Sequence, residues 1–428
     1  MALLCDELRV LISYRLAASS SPAPLYTGVV DVECPTTMRH LREVFRARPW
    51  WRVGPSPHGS PAPPVPLQLC EYEALDWDAV MSRRVVTNNF MLRKGLCRKA
   101  NFARVVQRHM ARCAGGCPLA GSVPPTAVID TMPVFHGRPV WLDLRAALAD
   151  ALCEAAELME AGGAGPDASA PAFVLKPSLG NKGAEIHFVR TLEEVEAVVC
   201  EWRDVGQWVL QRYVARPLLL GGGRKFHIRL YVLADGALDV WVFSEALVLL
   251  AAQPWALLGA PGGGDVRFAH LTNTCVGAEA PGFDESACVF ALSELPGLLQ
   301  AAGAVNSSEE AAARLQRLSA DMRDCVRHTF TALEGGEMAG FAPLPNAWEL
   351  YGLDFLVDED WRVHLLEANP TPDIAQTRSR LDAIVGDLLE GVARIAIDGR
   401  FPPPAKAPAP QERTRKWDRV YTKQWVTR

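Results

Sequence analysis

Residues Trp348 to Asp373 read WELYGLDFLVDEDWRVHLLEANPTPD. Two apolar-rich runs, Leu350 to Val357 and Val363 to Leu366, flank the polar cluster Asp358-Glu359-Asp360, the pattern of an antiparallel hairpin. A turn centred on Asp360 and Trp361 sets Asp354 directly opposite Glu367, and opposed residues project from one face of a sheet with Cβ atoms about 5 Å apart. Asn369, two residues beyond Glu367, shares that face. Its opposite number is Gly352, whose missing side chain predicts open space for a ligand. Two carboxylates and an amide converging on a gap are hard oxygen donors, suited to Mg²⁺ carrying phosphate groups. The plainer alternative makes Asp354 a turn or ion-pair residue and Glu367 an edge-strand charge. Carboxylates left unpaired in strands this apolar are costly, which favours the metal.

Positive charge for phosphates lies upstream. Lys176 ends the apolar run AFVLK, and Lys182 lies in LGNKGAE with Gly180 and Gly183. Glycines let the backbone approach a polyphosphate, although a plain hairpin turn with solvent lysines has the same composition. In RKFHIR, Lys225, His227 and Arg229 alternate, so a strand projects all three from one face. There they repel one another unless an anion sits over them, or they form an exposed basic edge. Gln211 to Val214 follows the apolar WVL and offers either an adenine-binding edge or plain strand. His270-Leu271-Thr272-Asn273 offers hydroxyl and amide groups to a phosphate or ribose. Arg93, Lys94, Arg98 and Lys99 belong to a basic stretch of helical periodicity, and face either solvent or phosphate.

Positioning these groups falls to an α+β chain with antiparallel hairpins, not the regular βαβ alternation of a doubly wound sheet. Strands are predicted over AFVLKPS, WVLQRYV and RKFHIRLYVLAD, the last turning back at Asp235-Gly236 into LDVWVFSEALVLL. Helices are predicted over Ala151 to Glu160, LEEVEAVVCEWRDV, Glu309 to Leu333 and Arg378 to Ile397. Ser19 to Pro66, broken by Pro, Ser and Gly, reads as loop or linker. The stretch after Pro404 reads as disordered. No internal repeat is visible.

With 428 residues, 49% hydrophobic and 22% charged, the chain can bury a sizeable core in two or three domains. A net charge of −5 calls for neither nucleic acid nor membrane. It is uneven: from Lys406 onward seven basic residues face Glu412 and Asp418, a net +5 that leaves the remainder at −10. Eleven dispersed cysteines, an odd number, argue for reduced thiols in a cytosolic compartment. Cys113 and Cys117 in CAGGC have the spacing of half a zinc site, with no second Cys/His pair following them. No apolar run reaches the roughly 18–20 residues that span a bilayer. The opening MALLCDELRVLI carries Asp6 and Glu7 and lacks a signal peptide's basic start. A cytoplasmic location is therefore expected.

Taken in order, FVLKPSLGNKGAEI, WVLQRYVARPLLL, RKFHIRLYVL, HLTNTC and the Asp354…Glu367-x-Asn369 hairpin, with LRKGLCRKANF upstream, resemble the ATP-grasp ligases and, within them, the tubulin–tyrosine ligase family. The likeness covers roughly residues 85 to 404, and its specificity lies in six separated motifs occurring in sequence. It implies an ATP-grasp fold, antiparallel sheets with helices in two lobes clasping ATP, preceded by a smaller N-terminal domain. The corresponding divisions are 1–98, 99–212 and 213–404, with a basic tail at 405–428. It further implies that Lys99, Lys176, Lys182 and Gly183 contact phosphates and that Gln211, Arg212, Tyr213 and Val214 line adenine. Lys225 and His227 would adjoin ribose and phosphates, with Thr272 and Asn273 completing the ATP site. Asp354, Glu367 and Asn369 would hold Mg²⁺, and Arg229 would bind the acceptor carboxylate. Lys176, Arg229 and Glu367 would be catalytic.

The implied reaction is ATP-dependent ligation of tyrosine or glutamate onto a protein carboxylate, through an acylphosphate. Tubulin's acidic C-terminal tail is the simplest acceptor, with free amino acid as co-substrate and a microtubule-associated location. The alternatives are an ATP-grasp ligase with another acceptor and a non-catalytic ATP-binding scaffold. Three departures bear on this choice: His227 stands where the family's basic strand has an acid, Leu249 where an arginine helps hold the amino acid, and EANPTPD where EVN is usual.

Overall fold

A computed structural model describes residues 24–55, 65–113, 116–135, 144–162, 172–180, 185–256, 265–334, 339–374, 381–405 and 416–423. The chain divides into two compact units, Met1–Thr87 with Ala393–Gln411, and Asn88–Val392 with Glu412–Arg428.

In the first unit β1 (Tyr26–Asp31), β2 (Trp51–Gly54), β3 (Leu67–Cys70) and β4 (Val86–Thr87) form a parallel sheet in the order β2-β1-β3-β4. Helix α1 (Pro35–Arg46) makes the crossover from β1 to β2, with Pro35 at its start, where a missing N–H costs nothing. Just past it, the buried Arg48 forks onto Asp398 at 2.9 and 2.7 Å and donates to the Val44 carbonyl. Strands β1 and β2 and helix α1 correct the expectation of a loop or linker from Ser19 to Pro66. Parallel strands of four to six residues, such as β1 and β2, give little alternation to read. The most Pro-rich part, residues 56–64, lies outside the described residues.

The second unit carries two antiparallel sheets. After α2 (Lys99–Arg112), the strands β5 (Thr126–Asp130), β6 (Phe173–Pro177), β7 (His187–Val189) and β8 (Gln207–Arg212) form one in the order β5-β8-β6-β7. Helices α3 (Leu144–Gly162) and α4 (Leu192–Glu201) pack Leu148, Leu152, Val195 and Val199 against its apolar side. A capping box of Thr191 and Glu194 starts α4. The other sheet runs β12 (Val289–Ala291), β11 (Asp239–Leu250), β10 (Arg224–Asp235), β13 (Trp348–Val357), β14 (Val363–Pro370), with β9 (Leu219–Leu220) paired to β10. The 25-residue helix α5 (Ser308–Ala332) lays Leu318, Met322, Val326 and Phe330 into the same core as β10 and β13. Helix α6 (Asp382–Val392) follows. This is a mixed α+β architecture.

The tail also departs from expectation. Within the stretch predicted to be disordered, β15 (Trp417–Thr422) pairs antiparallel with β11. Trp417 is its anchor: the indole is buried, lies tilted against Phe243 with ring centroids 5.1 Å apart, and passes so close to Gly391 that a Cβ there would meet its Nε1 at 2.0 Å. Basic neighbours hide this short strand signal.

Candidate functional site

The β13–β14 hairpin pairs Asp354 with Glu367 and Gly352 with Asn369, the predicted register. Towards the turn the register slips, because Phe355 pairs with Leu365 and leaves Leu366 as the extra residue of a bulge. The turn is held by Asp358, which accepts from the Arg362 N–H at 2.9 Å and pairs with His364 at 2.8 Å. Trp361 there adopts a left-handed φ of 64°.

The predicted open space over Gly352 is filled. A Cβ at Gly352 would meet Arg229 Cδ at 2.7 Å and Pro372 Cβ at 2.9 Å. The glycine makes room for the arginine's own stem, not for a ligand. Arg229, paired with Asp354 across β10 and β13, forks onto that carboxylate: Nε donates to Oδ1, and Nη2 to Oδ2 at 2.9 Å. Both groups are buried, at 7% and 4% exposure. Burial alone would weaken the guanidinium's hold on its proton, but Asp354 more than reverses this.

Asn369 joins the two acids, its Nδ2 donating to Asp354 Oδ2 at 3.2 Å and to Glu367 Oε1 at 3.4 Å. The other Glu367 oxygen faces Lys99 Nζ at 3.4 Å. That lysine opens α2 and also donates to the Gly180 carbonyl at 2.7 Å, while Ser178 Oγ accepts from the Ala100 N–H. Burial pushes the Glu367 carboxyl up, but Lys99, Lys176, Arg229 and the Asn369 amide together bring it down to about 2. Lys176 donates to Gln211 Oε1 at 3.0 Å. Its ammonium is lowered to about 8, chiefly by burial and against the pull of Glu367.

On the side of β8, Tyr213, His270 and Lys225 form a connected set. The His270 Nε2 lies 2.8 Å from the Ala256 carbonyl, which can only accept, so the ring carries its proton there. Nδ1 then accepts from Tyr213 Oη at 2.7 Å, and that oxygen accepts from Lys225 Nζ at 3.2 Å. Lys225 also donates to the His270 carbonyl and sits 4.5 Å over the Tyr213 ring. Burial lowers the lysine to about 7 and the imidazole to about 4. Phe188 packs edge-on against Tyr213. The amides of Arg212 and Tyr213 donate to Pro125 and Ala172 carbonyls, so neither of those N–H groups is open to read a base.

His227 Nδ1 lies 2.6 Å from Thr272 Oγ1, and its Nε2 is 3.6 Å from Asp354 Oδ1. Burial, opposed by Asp354 and helped by Arg229, holds its imidazole down to about 4, in the neutral form. Directly across the β10–β11 ladder stands Leu249, 1% exposed. The two positions where the resemblance implies an acid and an arginine thus face each other, and here both side chains are uncharged.

One cleft in the second unit brings together Lys99, Lys176, Gln211 to Val214, Lys225, His227, Thr272, Asn273, Asp354 and Glu367. Arg229 and Asn369 touch it through Asp354. Lys182 and Gly183 lie outside the described residues. Sequence reasoning missed the apolar lining, Ile186, Phe188, Leu356 and Leu366. Leu356 was findable, two residues from Asp354 on one strand face; Leu366 was not, because a bulge aims it. The donor set fits Mg²⁺. Two carboxylates already share one amide, and turning that amide over, an exchange of near-equivalent atoms, would present a third oxygen to the same point. Asp354, Glu367 and Asn369 would then hold the ion, whose charge offsets that of phosphate.

Two antiparallel sheets backed by helices, with lysines and carboxylates gathered in the cleft they share, are the ATP-grasp fold. The C-terminal domain of K. lactis Pby1, described as an ATP-grasp enzyme interacting with the mRNA decapping enzyme Dcp2, superposes with a TM-score of 0.65 at 24% identity, covering 94% of this chain and all of that domain. The tubulin-tyrosine ligase family pattern matches residues 150–405, and the chain belongs to that family. Similar relatives include a probable tubulin–tyrosine ligase, PBY1, of Saccharomyces cerevisiae, 27% identical in an alignment 371 residues long that covers 77% of this chain and 45% of that one. This chain therefore spans under half of that relative's length. A probable tubulin–tyrosine ligase of Schizosaccharomyces pombe is 28% identical in an alignment 364 residues long that covers 77% of this chain and 82% of that one.

Proposed function

We infer that this chain is an ATP-dependent carboxylate–amine ligase that joins tyrosine or glutamate to a protein carboxylate, most simply on the tubulin C-terminal tail. The observation that carries this is one cleft in which Lys99, Lys176 and Lys225 face the Asp354–Glu367–Asn369 cluster. The lysines neutralise the triphosphate while the acceptor carboxylate attacks the γ-phosphorus, yielding acylphosphate and ADP. The amino acid's amine then attacks the acyl carbon, forming the amide and releasing phosphate. With Nε and Nη2 of Arg229 taken by Asp354, Nη1 is what remains to address an acceptor carboxylate.

Incubation of tubulin with the protein, ATP, Mg²⁺ and one amino acid at a time, read by mass spectrometry of the tails, tests this. Tails heavier by tyrosine or glutamate residues are expected, with ADP release requiring acceptor and amino acid together. ADP release with a different acceptor protein would move the substrate, a reading that Leu249 opposite His227 favours, since no arginine there holds an amino acid. Nucleotide binding without turnover under any acceptor would leave a scaffold.

Lys225 and Lys176, lowered to about 7 and about 8, are partly neutral in the nucleotide-free protein near pH 8. A bound polyanion favours their charged forms, so ATP binding is expected to take up protons between pH 7 and 9. The sign follows: affinity falls as pH rises through these values, by up to about tenfold per pH unit for each lysine titrating. Calorimetry in buffers of different ionisation enthalpy measures the uptake; proton release on binding would contradict the lysine assignments.

A further inference from the structure

We propose that His109, Cys113 and Cys117 form a zinc site at the far end of α2, separate from the nucleotide cleft. The sequence shows only half of such a site, because its third ligand lies upstream on the helix. His109 and Cys113 are one helical turn apart and therefore share a face. The helix ends at Arg112, and Gly116, at a left-handed φ of 117°, helps turn the chain so that Cys117 comes back beside them.

The imidazole and thiol donor atoms all lie within 4.8 Å of one another, with His109 Nε2 and Cys113 Sγ 3.7 Å apart. Zinc bonds of about 2.0–2.3 Å at tetrahedral angles set donors about 3.5–3.8 Å apart, so modest inward movement completes the triad. Two thiols and an imidazole select a borderline-soft ion such as Zn²⁺, whereas the oxygen donors of the nucleotide cleft select Mg²⁺. Cys117 is fixed in the core beside Leu119 and Val123, while His109 and Cys113 are half-buried and leave the fourth position to water.

The placement gives the ion a mechanical role. Helix α2 carries Lys99 at its first turn, about 20 Å away by helix rise. The loop after Cys117 is tied to β14, where the Leu365 N–H donates to the Ser122 carbonyl at 2.7 Å, two residues before Glu367. A clip between helix end and loop therefore braces the two elements that bring Lys99 and Glu367 together.

Cobalt titration of the reduced, metal-stripped full chain tests the site. The near-ultraviolet thiolate-to-cobalt absorption is expected to saturate at one ion per chain and to be displaced by Zn²⁺. Cys113→Ser, at a half-exposed position, is expected to weaken binding more than about 100-fold, exceeding the 10–100-fold typical of losing an outer partner. His109→Gln should also weaken it, and the exposed Cys153→Ser should leave it unchanged. Zinc should raise the thermal midpoint of the wild type and not of Cys113→Ser. Equal cobalt affinity in Cys113→Ser, or recovery of Cys113 and Cys117 as a disulfide in a chain that takes up no cobalt, would overturn the proposal.

Discussion

Replacing Glu367 by Gln is expected to remove ADP formation, by at least about 10³-fold, while leaving the fold in place. The amide keeps the shape of the carboxyl and can still meet Asn369, but it takes away the negative charge facing Lys99 Nζ at 3.4 Å. In the wild type the surrounding cations hold this carboxyl down to about 2, so it is an anion throughout the working range. Three lysines would then face the triphosphate with one fewer acid. Metal-free ATP binding is expected to persist or tighten, while turnover fails because the ion loses a charged ligand. Circular dichroism and nucleotide titration establish that the variant is folded and loaded; an ADP assay decides. Undiminished ADP formation in such a variant would remove Glu367 from the metal set.

The hairpin was legible because its evidence is local. Two apolar-rich runs on either side of a polar turn mark the pairing, but next to the turn the partners fall one residue short of a turn centred on Asp360 and Trp361, and it is the bulge at Leu366 that restores Asp354 opposite Glu367. The alternation of Lys225, His227 and Arg229 was legible for the same reason, but what lies over that face was not. It predicts repulsion relieved by an anion, and the anion for Arg229 turns out to be Asp354 on the neighbouring strand. That pairing depends on the order β10-β13, a long-range fact that no window of sequence contains. Gly352 was misread on the same account: its empty side is taken by a side chain from another strand. His109, the third donor of the proposed zinc site, lies upstream of the two cysteines on the helix, where the Cys113–Cys117 spacing gives no sign of it. The first unit, with its short parallel strands, gave the least signal.

Asp354→Leu is expected to be among the most destabilising single changes in the second unit, by about 3–5 kcal/mol. The reason is what it leaves behind. Arg229 is 7% exposed and its stem lies against Gly352, so two of the three guanidinium nitrogens depend on Asp354 rather than on water. Without the carboxylate, its Nε and Nη2 lose their partners at once, and His227 Nε2 loses its nearest acid. A buried cation without a counter-charge costs more than the pair itself contributes, since pairing two ions in the core only roughly repays their desolvation. The double variant Arg229→Met with Asp354→Leu removes both charges at similar volume and is expected to recover most of the loss, yet to remain inactive, because Asp354 is also a metal ligand in the proposed reaction. Calorimetric unfolding of the full chain compares the three proteins. A loss under about 1 kcal/mol in Asp354→Leu, or a double variant no more stable than the single one, would show that Arg229 reaches another anion or water, and that Asp354 is held in place by something other than this fork.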